Sequence, residues 1–230
     1  MDDVGRLGLD AETREKQAEL ASRLIAWADE WDPSQDDGAP PAALLSEAGQ
    51  ILEILGDHVG ALAAYRRAAS AIGVVDPDVR GFLHRALVSV GDLAEARLLA
   101  EEIRRSAPPD LGVYAMVGEN YEKHGDLDQA HRWLNLGLQR LGGADVEGAD
   151  VDTTDRLALD LISITIVRRR IRRALGLPAD PADRVADHLI DQTTPAAGTD
   201  GSTSCEPGRG VISRNSATLP RHSPLHANRM

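Results

Sequence analysis

The chain has 230 residues and a formal charge of −12, and 42% of its residues are apolar although only 3% are aromatic. Length and composition fit one or two folded domains with an aliphatic core. The acidic surface disfavours a general polyanion binder, because it repels phosphate before specific contacts form. The lone cysteine, Cys205, provides no disulfide partner and no set of thiolates for zinc, which is typical of a reducing compartment.

The sequence shows no signal for export or for crossing a membrane. Its first residues, MDDVGRLGLDAETREK, are acidic and lack an apolar stretch. The longest nearly apolar run, LALDLISITIV, contains Asp160 and is too short to span a bilayer. We therefore expect a cytoplasmic protein without membrane contact.

Apolar residues at helical spacing predict an N-terminal helix from about Ala11 to Trp31, with Asp10 as its cap. The following segment, DPSQDDGAPP, contains prolines and acidic residues that interrupt a helix. We assign residues 1–41 to an N-terminal helix and an acidic linker.

Three Gly-Asp pairs then recur at spacings of 35 and 34 residues. The pairs are Gly56-Asp57, Gly91-Asp92 and Gly125-Asp126, and the alanine four residues after each aspartate is Ala61, Ala96 or Ala130. Glycine ends one helix and the polar residue starts the next, so each unit is predicted to be a helical hairpin. The predicted units are residues 42–76, 77–110 and 111–143.

Glycine also lies inside the first predicted helix of two units, at Gly49 and Gly118, where it costs about 1 kcal/mol relative to alanine. Close approach of the partner helix would explain both. In the third unit Tyr114, Val117, Gly118 and Tyr121 follow the pattern WxxLGxxY, so residues 42–141 resemble the tetratricopeptide repeat family. We expect Tyr114 and Tyr121 to fill the volume around Gly118. Other residues in the family's structural positions are Ala61, Tyr65, Ala96, Pro108 and Ala130.

This resemblance implies an all-α fold, an α-solenoid of about three helical hairpins with flanking capping helices. The second unit is the most divergent, since His84 stands where the other units have glycine. An unrelated helical bundle is the alternative, and the constant period disfavours it.

A capping helix is predicted in residues 144–192, running from about Thr153, after Asp152, to Leu175 and containing the basic run Arg168–Arg173. Beyond residue 193 the chain is rich in Ser, Thr, Pro and Gly without apolar periodicity, which predicts a disordered tail over 193–230. Repeats followed by RRRIRRALGLP are also similar to actinobacterial proteins of the SEC-C group. Because the cysteine-rich segment of that group is absent, no zinc role follows.

Motifs for catalysis, metals or cofactors are missing from the sequence: it contains no HExxH, CxxC, P-loop or GxSxG pattern. Acidic residues on a helical repeat usually form a solvated face. We therefore predict a non-enzymatic protein with no cofactor and no metal.

The resemblance implies that a partner binds the concave wall formed by the first helix of each unit. Carried over to this sequence, the partner-binding positions are Gln50, Glu53, Arg85, Glu119 and Glu122. This mixed, somewhat acidic surface favours a protein or peptide segment with basic and apolar residues.

The alternative is a regulatory protein that contacts nucleic acid or another anion through Arg168–Arg173. A simpler interpretation is that these arginines pair with acidic neighbours and the helix dipole, which makes nucleic acid an unlikely partner.

Overall fold

The computed structural model of the protein describes residues 10–34, 38–140 and 156–193. Within these ranges the chain forms nine α-helices and no strand, which confirms the predicted all-α class. The helices are α1 (Ala11–Glu30), α2 (Pro41–Leu55), α3 (His58–Ser70), α4 (Val79–Ser89), α5 (Leu93–Ser106), α6 (Gly112–Lys123), α7 (Leu127–Arg140), α8 (Arg156–Ala174) and α9 (Pro181–Thr193).

The three Gly-Asp pairs form turns of the same geometry. Gly56, Gly91 and Gly125 have φ of 84°, 83° and 84°, the left-handed conformation that glycine adopts without a steric penalty. The next residue's amide donates to a carbonyl in the preceding helix at 2.9 Å in all three turns. Each aspartate then caps the following helix, where its Oδ1 accepts an amide hydrogen bond of 2.8 to 3.1 Å. The predicted turns are confirmed.

The hairpins α2/α3, α4/α5 and α6/α7 stack along the chain. α1 packs on α2, α3 on α4, and α4 on α6. Asp10 caps α1 as predicted, because its Oδ1 accepts a hydrogen bond from Thr13 N at 2.7 Å. α4 therefore lies beside α6, and α6 beside α8, whereas α3 lies between α2 and α4 in the chain and packs on α4.

The C-terminal region differs from the prediction of one capping helix. α8 packs against α6 and α7, and a further helix, α9, packs on α8. Gly176 joins α8 and α9 with φ of 69°, and Leu177 N donates to Arg172 O at 2.9 Å, as in the earlier turns. Asp180 Oδ1 accepts from Asp183 N at 3.0 Å, with Pro181 between them as the first residue of α9. The expected helix start at Thr153 and the expected disordered tail lie outside the described residues.

Gly118 and Gly49 are sites of close helix contact, as predicted. A Cβ atom on Gly118 would lie 2.8 Å from Cγ of Leu134, and one on Gly49 would lie 2.5 Å from Cε1 of Tyr65. Both are shorter than ordinary carbon contacts of about 3.5 to 4.0 Å. Each glycine therefore admits a large side chain from the second helix of its own unit.

The prediction that Tyr114 and Tyr121 surround Gly118 is wrong. The residue against Gly118 is Leu134. Tyr114 is fully buried, its ring lies tilted by 35° against that of Trp133, and its hydroxyl donates to the carbonyl of Pro108 at 3.0 Å. Tyr121 is only partly buried and lies against the ring of His84. The remaining structural positions are buried, namely Gly49, Ala61, Tyr65, Ala96, Pro108 and Ala130.

The divergent second unit exchanges large and small residues. Counted from the turns, Gly49 and Tyr65 of the first unit correspond to His84 and Ala100 of the second. Both second-unit residues are buried. The large residue lies on the second helix in the first unit and on the first helix in the second unit.

We expect Gly118→Leu to destabilise the fold by about 1 to 3 kcal/mol through overpacking. Leu134→Ala alone costs about 2 to 5 kcal/mol by cavity formation. The double variant has the large residue on the first helix and the small one on the second, as in the second unit. Its loss of unfolding free energy should therefore be smaller than the sum of the losses in the two single variants. Urea unfolding of the four proteins measures this coupling, and additive losses would contradict the proposed contact.

Candidate functional site

The predicted binding residues lie on the first helices of the three units, a surface that we call the first-helix face. Gln50 and Glu53 lie on α2, Arg85 on α4, and Glu119 and Glu122 on α6. Gln50 is exposed, whereas the four charged residues are partly buried. The structure brings two of these residues, Glu53 and Arg85, into direct contact.

Glu53 and Arg85 form an ion pair between the first and second units. Arg85 Nε donates to Glu53 Oε1 at 3.1 Å, and Nη2 donates to Oε2. Tyr65 also donates its hydroxyl to Glu53 Oε2 at 2.8 Å. Burial and the neighbouring Glu53 raise the pKa of Tyr65 above its ordinary value, so the phenol remains the proton donor. The Glu53 carboxylate is therefore occupied by contacts within the protein.

Glu122 forms the corresponding link between the third unit and α8. Arg170 donates Nε to Glu122 Oε1 at 2.7 Å and Nη2 to Oε2 at 2.6 Å, a bidentate pair. Glu119 lies within electrostatic reach of the same guanidinium. The acidic positions and the arginine run, which are far apart in the sequence, are joined in the structure. No local pattern indicates this pairing, because the two residues are 48 positions apart.

The arginine run is bonded to acidic residues throughout. Arg168 contacts Asp180 and Asp183, Arg169 and Arg173 contact Asp187, and Arg172 contacts Asp183. Arg168 is 8% exposed and Asp183 is fully buried. The hydrogen bond from Arg168 lowers the pKa of Asp180 to about 2, so this carboxyl stays ionised. These contacts agree with the structural interpretation of the run.

His84 forms a third link between adjacent units. Its Nδ1 lies 3.2 Å from Asn120 Nδ2, and the same amide nitrogen donates to Gly81 O at 3.4 Å. Nδ1 is then an acceptor, which leaves the proton on Nε2. That nitrogen is buried without a hydrogen-bond partner in the described part of the chain. Burial lowers the pKa of His84 to about 4, so the ring is neutral near pH 7.

A groove between α5 and α7 was not anticipated from the sequence. It has a volume of about 790 Å³ and lies between the second helices of two adjacent units. Its lining includes Arg97, Glu101, Arg104, Tyr121, Arg132 and Trp133. Arg97 and Arg104 are one heptad apart, which places them on one helix face, but only the packing of the units reveals that α7 lies opposite.

Metal sites and membrane-spanning helices are two further possibilities for the described part of the chain. Among the residues that the structure describes, no group of three or more His, Cys, Asp or Glu side chains could hold a metal ion. Within the same ranges, no helix is long and apolar enough to cross a membrane.

Comparison with known proteins gives matches at the level of structure. No protein-family model and no curated protein matches the chain. A solved structure described as MamA MSR-1 C2 is 14% identical with a TM-score of 0.43, covering 79% of this chain and 96% of its own. The kinesin light chain TPR-like repeats of Podosopora anserina are 15% identical with a TM-score of 0.47, covering 79% and 85%. The predicted likeness to the SEC-C group stays a prediction.

The buried histidine makes stability depend on pH. The folded pKa of His84, about 4, lies below the ordinary value of 6.5, so between these values the unfolded chain binds a proton that the folded chain does not. Stability should therefore fall as pH decreases, by about 2 kcal/mol from this residue between pH 7 and pH 5.

Urea unfolding at both pH values checks this, with His84→Leu as the test variant and exposed His58→Gln as the control. We expect the His84 variant to be less stable at pH 7 but to lose about 2 kcal/mol less on acidification. An unchanged pH dependence in that variant would contradict the assignment.

Proposed function

We propose that this chain is a non-enzymatic protein-interaction scaffold that binds a partner segment on the first-helix face. The observation that carries the proposal is the alternation of charge along α2, α4, α6 and the neighbouring helix α8. Glu53 on α2 is followed by Arg85 on α4, Glu119 and Glu122 on α6, and Arg170 on α8. Charges in this order can fix the register of a segment that lies across the helices.

The paired charges of this face remain partly accessible. Arg85 retains 32% exposure and Arg170 retains 59%, although each is bonded to a carboxylate. Glu119 is the surplus acid of the face, since Glu53 and Glu122 each have a bidentate arginine. A partner with a basic residue opposite Glu119 fits this charge distribution. The exposed amide of Gln50 supplies a polar contact at the other end of the face.

The regulatory alternative requires arginines that are available for phosphate. Arg168, Arg169, Arg170, Arg172 and Arg173 are all bonded to carboxylates of α6, the α8–α9 turn or α9. A nucleic acid would have to displace those contacts while approaching a chain of charge −12. No observation therefore favours this alternative over a protein partner.

The test begins with full-length protein as bait in an extract of the source cell, followed by identification of the retained proteins. The site variant is Gln50→Lys with Glu119→Lys, because neither side chain makes one of the hydrogen bonds that link units. We expect it to weaken binding of the identified partner by 1 kcal/mol or more, about fivefold, with an unchanged thermal midpoint.

The matched control is Arg173→Gln, an exposed member of the arginine run. Arg169 and Arg172 are unsuitable controls because each is only 11% exposed and bonded to an acid. If Arg173→Gln loses partner binding and the site variant keeps it, the partner does not bind on the first-helix face.

A further inference from the structure

We propose that the groove between α5 and α7 is a second binding site, which takes an acidic peptide segment carrying an apolar side chain. This site lies mainly on the second helices α5 and α7, with Tyr121 of α6 and Asp126 of the turn, and includes none of the five residues of the first-helix face. It therefore goes beyond the function proposed above and can be tested separately.

The charge of the groove is the first argument. Three arginines and two acids line it. Glu101 is already bonded to Arg104 at 2.7 and 2.8 Å and contacts Arg105 at 3.3 Å. Asp126 caps α7 through Gln129 N at 3.1 Å. Arg97 and Arg132, one on each wall, have no carboxylate partner among the described residues, and the three arginines and two acids of the lining leave a net charge of +1.

This accumulation of positive charge is unusual in an acidic protein. The chain carries 37 acidic residues against 25 basic ones, and most described arginines are paired. Two arginines without carboxylate partners facing one groove are therefore a local exception, and an acidic ligand would complement them. Long nucleic acids do not fit this site, because the rest of the surface repels their phosphates.

The shape of the groove indicates a peptide. The lining of α7 extends from Gln129 to Gln139, which corresponds to about 15 Å of helix and to about five residues of extended chain. Ala100 and Trp133 are buried lining residues, and Leu136 adds a partly buried aliphatic surface. An apolar side chain can pack there while carboxylates of the same segment reach Arg97 and Arg132. The volume of about 790 Å³ is within the usual range for ligand sites.

The probe is a fluorescein-labelled peptide, GEDLFEDG, measured by fluorescence polarisation with the full-length protein. The neutral peptide GQNLFQNG keeps the same apolar residues. We expect the acidic peptide to bind at least ten times more tightly than the neutral one. In the double variant Arg97→Gln/Arg132→Gln, binding of the acidic peptide should weaken at least tenfold with an unchanged thermal midpoint, because both arginines are exposed.

The matched control is Arg23→Gln/Arg184→Gln, which removes the same charge from exposed residues on α1 and α9. It should bind the acidic peptide as the wild type does, and so should the Gln50→Lys/Glu119→Lys variant. Those results would support the groove whether or not the first-helix proposal survives.

Three results would overturn the proposal: equal binding of the two peptides, equal weakening in the control double variant, or no binding of the acidic peptide. A further overturning result involves the chain's own acidic segment. If the acidic peptide binds only after Asp150, Asp152 and Asp155 are replaced by Asn, the ligand of the groove is the chain's own acidic segment and not an external partner.

Discussion

The left-handed glycine followed by a capping aspartate is the constraint on which the architecture depends. Gly56, Gly91 and Gly125 reverse the chain within two residues, and the same residues satisfy amides and carbonyls that the helix ends would otherwise leave unpaired. Because the turn has the same length and backbone geometry in each unit, residues at fixed distances from it meet across the hairpin. This explains why Gly49 faces Tyr65 and Gly118 faces Leu134 with the same separation in sequence.

The stack of hairpins that these turns produce brings polar residues of α2, α4, α6 and α8 into contact, so these residues become links between units. Glu53 binds Arg85, Asn120 binds His84, and Glu122 binds Arg170. Positions that usually suggest partner binding in a helical repeat here also stabilise the stack. The first-helix face and the α5–α7 groove consequently differ in chemistry. Charges on the face are largely paired, whereas Arg97 and Arg132 in the groove have no carboxylate partner among the described residues.

Features determined by local sequence were predictable, and features determined by packing were not. The turns are formed by adjacent residues, so the recurring Gly-Asp pairs were sufficient to predict their positions. The neighbour of Gly118 depends on helix rotation, so the repeat pattern predicted Tyr114 and Tyr121 where the structure has Leu134. The α9 helix had a local signal, an aspartate before proline at residues 180–181, but it lacks the Gly-Asp pattern. The partners of Glu53 and Glu122 lie in other units, and no local rule identifies them.

The most direct test of this account is a double-mutant cycle on Glu53 and Arg85, using Glu53→Gln, Arg85→Gln and the combined variant. Urea unfolding at pH 7 gives the free energy of each protein. If this partly buried pair links the units, the coupling free energy should be about 1 to 3 kcal/mol. Each single variant should then lose more than half of the unfolding free energy that the double variant loses. Additive losses within about 0.3 kcal/mol would show that the two residues do not connect the units and would contradict the account.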